Sequence, residues 1–112
     1  MDGVYIIAPT GRLDTSTYQA MEDRVDVVLK EQPHTLVFDM ESLDYISSMG
    51  VRVIAKAQKA MKAYHGNVIL LNLQPQIQKV LDIIKALPPQ QVFSSMDELD
   101  DYLDRMQRQV TG

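Results

Sequence analysis

The chain has 112 residues and no cysteine, and eleven Lys and Arg against fifteen Asp and Glu leave a net charge of −4. One domain is the default at this length, and area scaling lets it bury about two-thirds of its unfolded surface without a disulfide or metal staple. The missing thiols exclude disulfide frameworks, cysteine nucleophiles and thiolate metal centres, and the acidic balance argues against nucleic-acid binding by phosphate neutralisation.

The charge is uneven. Between Tyr45 and Leu81 there is no acidic residue, only Arg52, Lys56, Lys59, Lys62 and Lys79, so this stretch carries +5 and the remainder −9. Asp2, Pro9 and Gly11 do not fit a signal peptide, and the apolar runs are too short to span a bilayer. The expectation is a soluble, cytoplasmic domain with no membrane insertion and no nucleic-acid partner.

Val4 to Ala8 reads as a short strand ending at Pro9, with Thr10 and Gly11 forming a turn. From Thr17 the period changes, and Tyr18, Met21, Val25, Val28 and Leu29 recur at helical spacing up to Pro33, preceded by the cap candidates Asp14, Thr15 and Ser16. Thr35 to Met40 is a continuous apolar run, the pattern of a strand covered on both faces. Glu41 to Ser47 reads as a loop. A second helix starts at Ser48 and ends near Tyr64, stopped by His65-Gly66-Asn67, both His34 and His65 reading as surface turn residues.

Asn67 to Leu73 repeats the buried-strand pattern, and Pro75 opens a third helix carrying Ile77, Val80, Leu81, Ile84 and Leu87 up to Pro88-Pro89. Gln91-Val92-Phe93 can form a short strand. Ser95 and Glu98 then make a capping box for a terminal helix whose first turns are acidic, with a frayed tail expected after Gln107. The predicted class is α/β: one small domain over residues 1–112, with a mostly parallel sheet of about four strands and about four helices.

Catalytic signatures are missing. The five glycines are isolated, there is no HExxH, and no serine sits in a nucleophile elbow. Asp39 ends a buried strand, where sites collect in open parallel sheets, although a carboxylate there can equally brace loop amides. Ser47 and Ser48 stand at a helix start, where either can serve as a cap. Three facts point beyond capping: Met49, followed by Val51 and Val53, is apolar where a loop meets solvent; the helix beyond is basic; and no acid on that helix neutralises it. A hydroxyl here can accept a phosphoryl group, whose charge a helix N-terminus tolerates. Asp14, Asp39 and Asp44 fall near one predicted edge, which is the one cue for a Mg²⁺-dependent reaction.

Three segments resemble the STAS-domain family of bacterial anti-sigma factor antagonists. They are Gly11-Arg12-Leu13-Asp14 with Thr17 and a helix; Leu36 to Met40 through Leu43, then Asp44-Tyr45-Ile46-Ser47-Ser48-Met49-Gly50-Val51; and Val68 to Asn72, then a helix, Val92-Phe93 and an acidic Ser-x-x-Glu helix. The resemblance implies a partner-switching regulator and not an enzyme, with no catalytic residue, metal or cofactor. It implies that Ser48 is phosphorylated by a partner that is both anti-sigma factor and serine kinase of the histidine-kinase-like ATPase class, and dephosphorylated by a metal-dependent serine phosphatase. The implied switch loop and partner surface comprise Asp14, Asp39, Asp44, Ile46, Ser47, Met49, Gly50 and Arg52, in a monomer or weak dimer.

Two departures stand out. Ser47 occupies the place of the family's signature Asp, which makes Ser47 an alternative acceptor and keeps open a second role, that of an unmodified STAS accessory subunit gripping the ATPase of an ABC-type transporter. The chain also reaches what resembles the family's second strand almost at once, so a sheet one strand smaller is expected.

Overall fold

The computed structural model describes residues 3–86 and 95–111. In chain order the elements are β1 (Val4–Ile7), β2 (Gly11–Leu13), α1 (Tyr18–Lys30), β3 (Thr35–Asp39), β4 (Leu43–Ile46), α2 (Ser48–Ala63), β5 (Asn67–Leu71), α3 (Pro75–Ala86) and α4 (Met96–Thr111). The α/β class and the parallel pairing agree with the sequence reading. The strand inventory does not, because two predicted loops are strands. Gly11, at φ +73°, turns the chain out of β1 into β2, and β4 forms where a loop was expected.

The strands form a three-stranded parallel sheet in the order β1-β3-β5 and a separate parallel pair, β2 with β4. The same two chain segments thus pair twice. After β1 and β3 separate, the Gly11 amide donates to the Ser42 carbonyl at 2.8 Å, and pairing resumes with a register shift at Gly11 and Arg12. Strands of three and four residues are too short to show a period, so turn residues decide how such segments read.

In the larger sheet Ile6, Val37 and Ile69 align in one row, while Ile7, Phe38 and Leu70 align in the next and face the opposite way. The inner row packs under α1 and α2 with Leu36, Val25, Ile54, Ala57 and Met61. The outer row is open: Ile6 is 67% exposed, Ile69 43% and Leu71 44%. Among the described strands of this sheet only β3 is buried on both faces, since Val37 in the outer row is shielded to 8% exposure between Ile6 and Ile69. β5 is half-exposed and, among the described residues, is the last strand of the sheet, with no helix covering that face.

The helices follow their predicted stripes. Pro75 opens α3 as expected, and the Ser95 hydroxyl accepts the Glu98 amide at 3.2 Å to cap α4. α4 continues to Thr111, beyond the frayed boundary expected at Gln107, and the predicted Gln91-Val92-Phe93 strand lies outside the described residues. α1 packs on α2, and α3 packs on both α4 and β4, which brings the C-terminal helix to the end of β4.

One-sided coverage of the sheet has a direct consequence for stability. Ile69→Thr, on the open face, should shift the unfolding free energy by less than about 0.5 kcal/mol, whereas Phe38→Ala beside it should cost about 3–5 kcal/mol; urea unfolding of the two variants measures both.

Candidate functional site

The site is built where β4 runs into α2. The Ser47 amide donates to the Leu13 carbonyl at 2.8 Å, ending the β2–β4 ladder. Ser47 is then extended at φ −97° and ψ 175° as the N-cap of α2, and its hydroxyl accepts the Gly50 amide at a long 3.5 Å. The turn from strand to helix is tight because Gly50 lies against β2 and β4. A Cβ at Gly50 would come within 2.8 Å of Ile46 Cγ1 and of Leu13 Cγ.

Both serines are buried, Ser47 at 4% exposure and Ser48 at 2%. Ser47 caps; Ser48 does not. Ser48 Oγ has no hydrogen-bond partner among the described residues, an unusual condition for a buried hydroxyl. Its backbone amide instead donates to Asp100 Oδ1 of α4 at 2.8 Å. A carboxylate from the far end of the chain therefore sits at the start of α2, where the helix dipole favours negative charge.

α4 holds the loop at further points. Gln107 is buried, its Oε1 accepting the Ile46 amide at 2.9 Å and its Nε2 donating to the Ile46 carbonyl at 2.8 Å and the Leu103 carbonyl at 3.2 Å. The side-chain amide thus pairs with the β4 backbone as a neighbouring strand would. Tyr45 hydrogen-bonds to Asp104, and burial together with that carboxylate raises the phenol above its ordinary pKa, so it stays a neutral donor. The Arg12 guanidinium stacks 3.8 Å above the Tyr45 ring, and Arg108 Nε pairs with Asp104 at 2.8 Å.

The other predicted residues have defined but separate roles. Asp39 Oδ1 accepts the Glu41 amide at 3.2 Å and Asn72 Nδ2 at 3.1 Å. The carbonyl of Asp44 accepts Gln76 Nε2 at 3.0 Å, and its carboxylate accepts Gln74 Nε2 at 3.4 Å. Asp14 serves its own turn, accepting the Ser16 hydroxyl at 2.7 Å and the Ser16 amide at 3.0 Å. Among the described residues no group of three carboxylate or imidazole side chains is placed to hold a metal ion. Ile46 is fully buried in the core, so it supports the site from beneath and is not part of the exposed surface.

The exposed part consists of half-buried Met49 and exposed Arg52, whose Nη1 lies 3.8 Å from Met49 Sδ, beside a shallow groove between α1 and α2. The basic face of α2 is weaker than its own sequence suggests. Lys56 pairs with Glu22 at 3.6 Å and with Asp26 at 3.0 Å, both on α1. Among the described residues Arg52, Lys59 and Lys62 reach no carboxylate, so they carry the remaining positive charge.

Residues 1–99 match the model of the STAS domain. The chain belongs to the STAS domain family. This STAS domain is 28% identical over 83 residues to BtrV, a candidate anti-sigma factor antagonist of Bordetella bronchiseptica, covering 74% of this chain and 72% of BtrV. Its fold is similar to that of the Bacillus cell fate determinant SpoIIAA in the phosphorylated form, with a TM-score of 0.65 at 22% identity over 94% of this chain and 92% of that one. The anti-sigma factor antagonist SpoIIAA in its unphosphorylated form gives a TM-score of 0.64 at 23% identity over 74% and 76%. At these identities the solved structures show the shared fold.

Asp100 and Gln107 were missed by sequence reasoning. They are 52 and 61 residues from their partners, and the only local signal was the acid run that opens α4, which a helix dipole explains equally well. Two outcomes follow from the local geometry. Gly50→Ala should cost about 1–2 kcal/mol despite alanine's better helix propensity, because Leu13 or Ile46 must shift; thermal unfolding checks it. The Asp14 carboxyl is held below 3.8, chiefly by the Ser16 hydroxyl and against a partial desolvation. A depressed folded-state pKa stabilises above the unfolded value and is lost as pH falls through the folded one. Asp14→Asn should therefore be less stable by about 0.5–1 kcal/mol at pH 7, and the gap should close below the folded-state pKa, as acid titration of unfolding would record.

Proposed function

We propose that this STAS domain is an anti-sigma factor antagonist that switches partners through the β4–α2 loop. Its unmodified form presents Met49, Arg52 and the start of α2 to an anti-sigma factor that is also a serine kinase, and thereby frees that partner's target. Ser48 is the acceptor in this reading, with Ser47 the alternative. The observation that carries it is the pair of serines at the N-terminus of α2, next to an apolar and basic surface, in a chain whose relative BtrV is described as a candidate anti-sigma factor antagonist.

The chemistry is a phosphoryl transfer. The Ser48 hydroxyl attacks the γ-phosphorus of ATP held by the kinase, the bond to the β-phosphate oxygen breaks, ADP leaves, and the hydroxyl proton passes to a base on the kinase. This chain supplies the acceptor and the docking surface, and no catalytic group of its own. The added charge of about −2 at an apolar contact costs a few kcal/mol of affinity, on the order of a hundredfold. A metal-dependent serine phosphatase reverses the step. The protein acts in the cytoplasm, in keeping with the absence of any helix among the described residues long and apolar enough to cross a membrane.

The burial of both hydroxyls favours a second reading, in which the domain grips the ATPase of an ABC-type transporter without being modified. Incubation with the cognate kinase and ATP, followed by mass spectrometry, separates the two. Phosphate on Ser48 or Ser47, with weaker kinase binding by Ser48→Asp, is the expected result. No phosphate on either serine and unchanged binding would rule out partner switching.

A further inference from the structure

We propose that α4 is a lid over the start of α2, latched by Asp100 and Gln107, that must lift before Ser48 can be modified and that a phosphate on Ser48 then holds open. This deepens the proposed function and rests on its reading of Ser48 as the acceptor. As the chain stands closed, Ser48 is 2% exposed and cannot enter a kinase active site. Among the described residues, the helix that bonds to this loop at Ile46 and Ser48 comes from the opposite end of the sequence.

The contacts between that helix and the loop are mainly polar and directed at backbone. Asp100 takes the Ser48 amide at 2.8 Å, and Gln107 takes both the amide and the carbonyl of Ile46 at 2.9 and 2.8 Å. Each of these backbone groups can be satisfied by water when the helix lifts, so the opening leaves no buried polar group unpaired. α4 anchors in the buried core through Leu99 and Leu103, with Tyr102 packed against it and α3 alongside, whereas α2 supplies Val53, Ile54, Ala57 and Met61. A terminal element with a smaller share of the core than α2 can open locally, below the free energy of global unfolding.

The closed state also sets a modified serine against the Asp100 carboxylate. Ser48 Oγ is buried without a partner, so the closed site leaves the acceptor hydroxyl unused. A phosphate on that oxygen would compete with the Asp100 carboxylate for the same Ser48 amide and the same helix N-terminus. Two anions cannot share one donor in a buried site. Asp100 lies at the Ser48 amide and Asp104 at Tyr45 one turn on, within a helix start that also carries Asp97, Glu98 and Asp101, so a dianion on Ser48 repels this acidic end of α4. Modification and closure therefore exclude each other: α4 opens transiently in the unmodified form and stays open in the modified one.

Hydrogen exchange on the intact wild-type protein tests the lid without a kinase. The Ile46 and Ser48 amides should exchange at least tenfold faster than the Phe38 amide of the central strand. Equal rates, meaning that both amides open only with global unfolding, would overturn the proposal. Kinase assays with ATP on Gln107→Ala and on Asp100→Asn, which keeps an oxygen acceptor in case the first variant folds poorly, should show phosphorylation several-fold faster than wild type. With wild type phosphorylated at a measurable rate, rates no faster than that in either folded variant also overturn it. Faster local exchange with no phosphate on Ser47 or Ser48 in any of the three proteins supports the lid and removes the acceptor reading instead, so the two failures are distinguishable.

Discussion

The first turn of α2 points its amides into the protein, and the arrangement of the working end depends on how those amides are satisfied. A helix start leaves several N–H groups without intrahelical partners. In water they would be solvated; here Ser47 and Ser48 are buried, so the donors must come to terms with protein groups. The Ser47 hydroxyl serves Gly50, but at 3.5 Å it serves it weakly. The strong acceptor is Asp100, a carboxylate at 2.8 Å from the Ser48 amide, favoured both by charge and by the helix dipole. Once that bond is made, α4 has to lie across the loop. From there the positions of Gln107 against Ile46 and of Asp104 against Tyr45 follow as successive turns of one helix.

The close approach that makes this possible is local and steric. Gly50 lets α2 begin directly against Leu13 and Ile46, without the longer turn that a side chain would impose. The short β2–β4 pair is what the first turn of α2 packs against. It therefore does more than extend the sheet: it places the serines beneath the surface and leaves Met49 and Arg52 half outside it. The same closeness explains why Ile46, read from the sequence as a contact residue, is a core residue whose backbone is engaged and whose side chain is unavailable.

Much of the fold was legible because its period was long enough to measure. α1, α2 and α3 each carry several buried residues at helical spacing, and β3 has an uninterrupted apolar run, so their type and approximate bounds could be read directly. β2 and β4 were not legible, since three or four residues carry no period and Pro9, Gly11 and the polar stretch around Ser42 resemble loop composition. β5 was misread for a different reason. An apolar strand with one open face has the same composition as one buried on both sides, and only the absence of a covering helix among the described residues distinguishes them. The serine loop was legible from its own residues, whereas Asp100 and Gln107 act from more than 50 positions away, which no local pattern encodes.

The uneven charge takes on a different meaning once the chain is folded. Along the sequence the stretch from Tyr45 to Leu81 is basic and isolated, but in space Lys56 is met by Glu22 and Asp26 of α1, and the helix N-terminus is met by Asp100 of α4. Among the described residues of α2, positive charge without a carboxylate partner is thereby confined to Arg52, Lys59 and Lys62, of which Arg52 and Lys59 line the groove between α1 and α2. A carboxylate already occupies the favourable anion position at the start of α2. A phosphate arriving there gains little that the closed protein does not already have, and it must displace a bond to gain it. In the proposed switch, the free energy of modification is therefore coupled to the free energy of seating α4, and a partner that reads the state of the serine would also read the position of the helix.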